Sequence, residues 1–143
     1  MINRQVTIGL SQINNSFSGA NYLPYSIGLL QAYIQKYLSD ASRFRFLEPI
    51  YKRISIKDAV THLASVQIAG FSLYVWNERI SLEIIRNLKK NNPPCLIICG
   101  GPQVPDRAES FLRKNPEIDI TVHGEGEKVF MDLLGTFSSK DLS

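Results

Sequence analysis

The chain has 143 residues, a mass of 16.1 kDa, 44% hydrophobic and 20% charged residues, and a net charge of +3. A chain of this length buries about two-thirds of its unfolded surface in one core, which excludes two full domains and makes a disulfide or structural metal unnecessary. The mixed charge, 16 basic against 13 acidic side chains, gives no argument for nucleic acid, and the lack of any apolar run of roughly 18 residues or of a leader pattern points to a cytoplasmic chain with no membrane partner.

Val6-Thr7-Ile8-Gly9-Leu10 is a short apolar run that predicts a first strand. Pro24 then opens a helical segment in which Ile27, Leu30, Tyr33, Ile34, Tyr37 and Leu38 recur at spacings of three and four. Residues 44–50 read as a second strand, and Ser55 is a candidate N-cap for a helix presenting Ile56, Ala59, Val60 and Leu63. Residues 66–74 form a third strand, apolar almost throughout, as in a sheet covered on both faces. Asn77 or Arg79 leads into a helix carrying Leu82, Ile85 and Leu88, stopped by Pro93-Pro94. Residues 95–99 are a fourth strand, 108–114 a helix, 118–122 a fifth strand and 128–137 a last helix.

Five strands alternating with five helices predict an α/β fold: a flavodoxin-like, Rossmann-like five-stranded parallel sheet of order 2-1-3-4-5 with helices on both faces. In such sheets ligands bind beyond the carboxyl ends of the strands, where the order reverses. The domain is expected to occupy residues 1–135, with 136–143 the start of a linker.

The loops at that edge carry the candidate chemistry. After strand 1 comes a long polar loop with Asn14, Asn15 and Ser16, where either ligand binding or plain turn formation accounts for the composition. After strand 3, Ser72-Leu73-Tyr74-Val75-Trp76-Asn77 holds the only Trp of the chain, and the aromatic pair could wall a flat ligand or pack on the next helix. After strand 4, Gly100-Gly101-Pro102 lets a bulky group approach the backbone, or simply turns it. After strand 5, Gly124-Glu125-Gly126-Glu127 precedes a helix; Glu127 suits a capping role, and Glu125 could accept hydrogen bonds from ligand hydroxyls or amides.

Residue counts remove several chemistries. His62 and His123 have no partner at metal-ligand spacing, and there is no nucleophile elbow, Walker loop or dinucleotide fingerprint. Cys95 and Cys99, four strand steps and about 13 Å apart, are too distant for a disulfide.

Taken in order, Tyr22-Leu23-Pro24-Tyr25-Ser26-Ile27-Gly28-Leu29-Leu30, Gly70-Phe71-Ser72, Cys99-Gly100-Gly101-Pro102 and Gly124-Glu125-Gly126-Glu127 resemble the cobalamin (B12)-binding N-terminal domain of B12-dependent radical SAM enzymes. The resemblance implies that the dimethylbenzimidazole tail of cobalamin slides between sheet and helices while the corrin lies across the carboxyl edge. It implies that Ser72 meets the tail base, that Gly100 and Gly101 run along the tail, and that residues 124–127 approach the nucleotide. The Asp-x-His-x-x-Gly motif that supplies a cobalt ligand in other cobalamin proteins is absent, since no histidine lies between Ser11 and Leu23. Cobalamin would then be base-off without a protein imidazole, its lower face open, watered or approached by Tyr74, Val75 or Trp76.

Radical SAM chemistry needs Cys-x-x-x-Cys-x-x-Cys, and Pro102 stands where the third cysteine would follow Cys95 and Cys99. S-adenosylmethionine and an iron–sulfur cluster are therefore expected only in a radical SAM domain supplied in cis or trans. The chain itself is expected to be a non-catalytic cobalamin-binding module serving a methyltransferase or a radical rearrangement enzyme. Two other readings stay open: an FMN-binding electron carrier of flavodoxin type, with residues 16–21 as its phosphate loop, and a ligand-free interaction module.

Overall fold

The structure, a computed structural model, describes residues 5–15 and 19–137. Five parallel strands, β1 (Val6–Ser11), β2 (Phe44–Phe46), β3 (Ile68–Ser72), β4 (Leu96–Gly100) and β5 (Ile120–Thr121), form one sheet in the order β2-β1-β3-β4-β5. The helices are α1 (Tyr25–Tyr37), α2 (Ile56–His62), α3 (Glu78–Asn91), α4 (Glu109–Lys114) and α5 (Glu127–Thr136), with a 3-10 turn at Ala41–Arg43. The expected fold class and strand order are those observed. No helix among the described residues is long and apolar enough to cross a membrane.

The sheet divides the core into two halves because side chains alternate along each strand. Val6, Ile8, Leu10, Ile68 and Ile98 pack with Ile27 and Ile34 of α1 and Phe130 and Leu134 of α5. Ala69, Phe71, Ile97 and Cys99 face the other way, onto Ala59, Val60, Ile84, Ile85 and Leu88 of α2 and α3. The central strand β3 is buried along its whole length, as a strand with helices on both sides must be.

The second strand ends earlier than its apolar pattern suggests. Pro49 has no N–H to give the ladder, so pairing lapses after Phe46 and the chain rejoins β1 at Ile50, whose N–H donates to Leu10 O at 3.0 Å. The fifth strand is likewise reduced to two residues, although flanking Asp119 and Val122 donate to Ile97 O and Cys99 O. Ser55 caps α2 as expected, its hydroxyl accepting the Asp58 N–H at 3.0 Å.

Cys95 and Cys99 are both free thiols buried in the α2–α3 half of the core. Desolvation raises the Cys95 thiol to about 11 and pushes the Cys99 thiol higher still, so both are held neutral.

Candidate functional site

At the carboxyl edge, between the sheet and the α1–α5 layer, lies a cleft of about 440 Å³, within the range of about 300–1,000 Å³ common to small-molecule sites. Gly70, Ser72, Ile98 and Gly100 supply its sheet side; Ser26, Ile27 and Leu30 of α1 and Glu127 and Phe130 of α5 supply the helix side. Tyr74, Gly101, Pro102, Asp106 and residues 123–126 also line it.

Register explains why β3 and β4 can floor such a slot. Ser72 pairs with Gly100 and Gly70 with Ile98, so a hydroxyl and two glycines fall together on the face toward α1 and α5; the place over Gly70 is taken by Leu10, whose Cδ2 would stand 2.7 Å from a Cβ there, and the opening lies over Gly100. A Cβ on Gly100 would meet only Val122, at 3.7 Å from its carbonyl oxygen, so the space above this glycine belongs to the cleft and not to a packed neighbour. A slot floored by glycine, walled by Leu30 and Phe130 and edged by hydroxyls suits a flat apolar group that carries a few hydrogen-bonding atoms.

Gly101 answers a different need. Its φ is +97°, and a Cβ there would stand 2.6 Å from Leu73 O, so only glycine lets the β4 loop pass the end of β3. Gly124 also has positive φ, at +68°, where the chain leaves β5 for α5.

The helix α1 borders the cleft because its N-terminus is tied to the end of β1. Pro24, at the N-cap position, makes no side-chain cap bond. Gln12 does that work from a distance: its Oε1 accepts the N–H groups of Ser26 at 3.1 Å and Ile27 at 3.3 Å. The helix terminus that would hold a phosphate in a flavodoxin-type site is thus occupied by an amide oxygen of the chain itself.

Beside the cleft stands an aromatic pair. The rings of Tyr74 and Trp76 stack with centroids 4.6 Å apart and planes 16° from parallel. The Tyr74 hydroxyl shares a 3.0 Å hydrogen bond with Ser26 Oγ, and the Trp76 indole N–H donates to Ile13 O at 3.2 Å. Arg53 donates to the Trp76 carbonyl at 2.6 Å, tying in the loop before α2.

The sequence-derived residues therefore separate into groups. Ser72, Tyr74, Gly100, Gly101, Pro102, Gly124, Glu125, Gly126 and Glu127 all line the cleft. Asn14, Asn15 and Trp76 line a neighbouring cleft of about 310 Å³ with Gln12, Tyr22 and Leu23. Asn14 is mostly buried, its amide donating to Tyr51 O at 2.8 Å. Val75 projects outward, 75% exposed, whereas Leu73 and Asn77 are fully buried behind the edge. Ser16 lies outside the described residues. Glu127 begins α5 without capping it, and its carboxylate sits in the first turn where the helix dipole favours negative charge.

The cleft also takes in Asp106 and Phe130, which no motif in the sequence marks, and Ser26 and Leu30, which the sequence offers only as part of the motif entering α1; Gln12, which caps α1, is likewise unmarked. Leu30 belongs to an apolar helical pattern that reads equally well as core, Ser26 is a polar residue in the first turn of that helix, and Gln12 reaches its partners across 14 residues, beyond any local signature. Among the described residues no group of three His, Cys, Asp or Glu side chains could hold a metal ion.

The model of a family described as B12 binding domain matches residues 7–134. A cobalamin-dependent radical SAM methyltransferase, TokK of Streptomyces tokunonensis, is 34% identical over 123 residues, covering 84% of this chain and 18% of that protein. A 2-(S-pantetheinyl)-carbapenam-3-carboxylate methyltransferase of Streptantibioticus cattleyicolor is 35% identical over 121 residues, covering 82% of this chain and again 18% of the relative. The chain thus matches under a fifth of the length of these curated relatives.

Proposed function

The chain belongs to the B12-binding domain family, and from that premise we propose that it holds cobalamin base-off, with the nucleotide tail in the cleft between the sheet and α1–α5 and no histidine on cobalt. The observation that carries this reading is the floor of the cleft, where Ser72 and Gly100 leave a slot walled by Leu30 and Phe130. Ser72 would meet the tail base, Gly100 and Gly101 would run along the tail, and the loop from Gly124 to Glu127 would face its ribose and phosphate.

Cobalamin would supply the methyl-carrying or radical chemistry; the chain's own work is to bind and orient it. The slot removes the tail base from water, which its apolar walls reward. The stacked Tyr74 and Trp76 rings, with Asn14 and Asn15 beyond them, offer a broad surface for the corrin. A lower face without an imidazole is supported by His62, which bonds Glu48 O and does not line the cleft, and by the place of His123, which lines the cleft just after β5 on the side assigned here to the tail.

The similarity to two methyltransferases supports a role beside a radical SAM domain, in the same chain or in a partner, that would carry the S-adenosylmethionine and the iron–sulfur cluster. Residues 1–135 would be the cobalamin module and residues 136–143, of which 138–143 lie outside the described residues, the start of a linker. An FMN reading loses its anchor because Gln12 fills the α1 terminus.

Absorbance titration with hydroxocobalamin and methylcobalamin, followed by desalting, tests the proposal. The expected result is retention of about one cobalamin per chain and a base-off methylcobalamin spectrum. Folded protein that retains neither cobalamin, or that retains FMN instead, would overturn it.

A further inference from the structure

The loops that follow β1 and β3 meet on one buried side chain. Asn77 has 0% of its surface exposed, and every polar atom of its carboxamide is engaged with backbone. Its Oδ1 accepts the Tyr74 N–H at 2.9 Å, and its Nδ2 donates to Ile13 O at 2.9 Å and to Ser72 O at 3.1 Å. An amide buried so completely is tolerated only when its hydrogen bonds are made.

Asn77 occupies the N-cap position of α3, where asparagine is ordinarily explained by a bond to the helix. It makes no such side-chain bond. Its bonds go to the two loops instead, and both rings of the aromatic pair depend on them. Tyr74 is held directly through its backbone N–H; Trp76 is held through Ile13, whose carbonyl accepts the indole N–H as well as the Asn77 amide.

We propose that Asn77 is a positioning residue for the corrin face: it touches no ligand, and it fixes the Tyr74–Trp76 pair at the angle the ligand meets. What lies on the rings rests on the cobalamin reading; the pinning of the rings does not. Asn77 therefore acts from behind the site, although the sequence offers it, with the rest of the loop after strand 3, as a cofactor contact.

Trp76 is the only Trp of the chain, so its fluorescence reports the pair directly. Asn77→Asp keeps the size and the acceptor for Tyr74 but sets carboxylate lone pairs against two carbonyls. In folded Asn77→Asp, acrylamide quenching of Trp76 should rise about twofold, and affinity for cobinamide, the corrin without its nucleotide tail, should fall about tenfold. Affinity for α-ribazole phosphate, the tail alone, should fall much less than that for cobinamide, because of the residues that line the tail cleft only Ser72 and Tyr74 bond to Asn77, whereas both rings of the pair depend on it. Unchanged quenching, or equal loss of both ligands, would overturn the proposal.

Should the wild-type chain bind neither ligand, the cobalamin reading fails while the quenching comparison still decides the pinning. If Asn77→Asp does not fold, hydrogen exchange on the wild type decides it: the Tyr74 amide should be as protected as the amides of β3, and exchange at the rate of an open loop would overturn the assignment.

Discussion

The backbone of Gly101 passes so close to Leu73 that a Cβ on the glycine would stand 2.6 Å from the leucine carbonyl oxygen. That approach joins the ends of β3 and β4 into one continuous edge: Leu73 N–H donates to Gly100 O at 2.8 Å, and Leu73 O accepts from Gln103 N at 3.1 Å. The cleft exists because these two loops run side by side with no side chain between them.

Gly101→Ala should therefore cost roughly 3 kcal/mol, combining a strained positive φ with a backbone collision. Urea denaturation measures it. Gly28→Ala on α1 should move the other way, by about 0.5–1 kcal/mol, since its Cβ meets nothing within 4 Å and the helix loses a flexible residue.

Gly100→Val tests the slot without testing the fold. The new side chain is compatible with a strand and would grow into the cleft floor, so the melting temperature should stay within about 5 °C of wild type. Cobalamin affinity should fall about 100-fold, or about 2.7 kcal/mol, as measured by equilibrium dialysis.

The Gln12 cap predicts a pair of outcomes. Gln12→Leu leaves the Ser26 and Ile27 N–H groups without their acceptor and should cost about 1 kcal/mol. Gln12→Glu keeps an acceptor and adds negative charge at a helix N-terminus, so at neutral pH it should be at least as stable as wild type. Thermal melts of the two variants side by side distinguish the cap from simple packing.

The buried thiols set an alkaline limit. Folding raises Cys95 from 9.0 to about 11 and Cys99 further. Above pH 9 the unfolded chain releases thiol protons that the folded chain keeps, so stability is fully present below about pH 9 and falls as pH rises toward 11. Cys95→Ala/Cys99→Ala should flatten that decline in urea titrations at successive pH values, and neither wild-type thiol should react with Ellman's reagent at pH 8 unless the chain is unfolded.

Much of this architecture is legible in the sequence because β1, β3 and β4 are continuous apolar runs between polar loops, and the strand order follows from right-handed crossovers. The second strand misleads at its end, since apolar Leu47 and Ile50 hide the break that Pro49 imposes. In the site, the glycines after β4 and β5 announce themselves locally. Asn77 and Gln12 do not, because what they do depends on partners brought near only by folding: Ile13 lies 64 residues from Asn77, and Ser26 lies 14 from Gln12. Ser26, Leu30 and Phe130 face a cleft from helices whose spacing would look the same over a solid core.

The most direct test of a tail-anchored, histidine-free cobalamin is electron paramagnetic resonance of the chain loaded with cobalamin and reduced to the Co(II) state. The account predicts cobalt hyperfine lines with no further splitting, as expected when neither the tail base nor an imidazole coordinates the metal. Lines each divided by a nitrogen nucleus would contradict it, placing either the dimethylbenzimidazole or a histidine on cobalt and leaving the cleft between the sheet and α1–α5 without its proposed occupant.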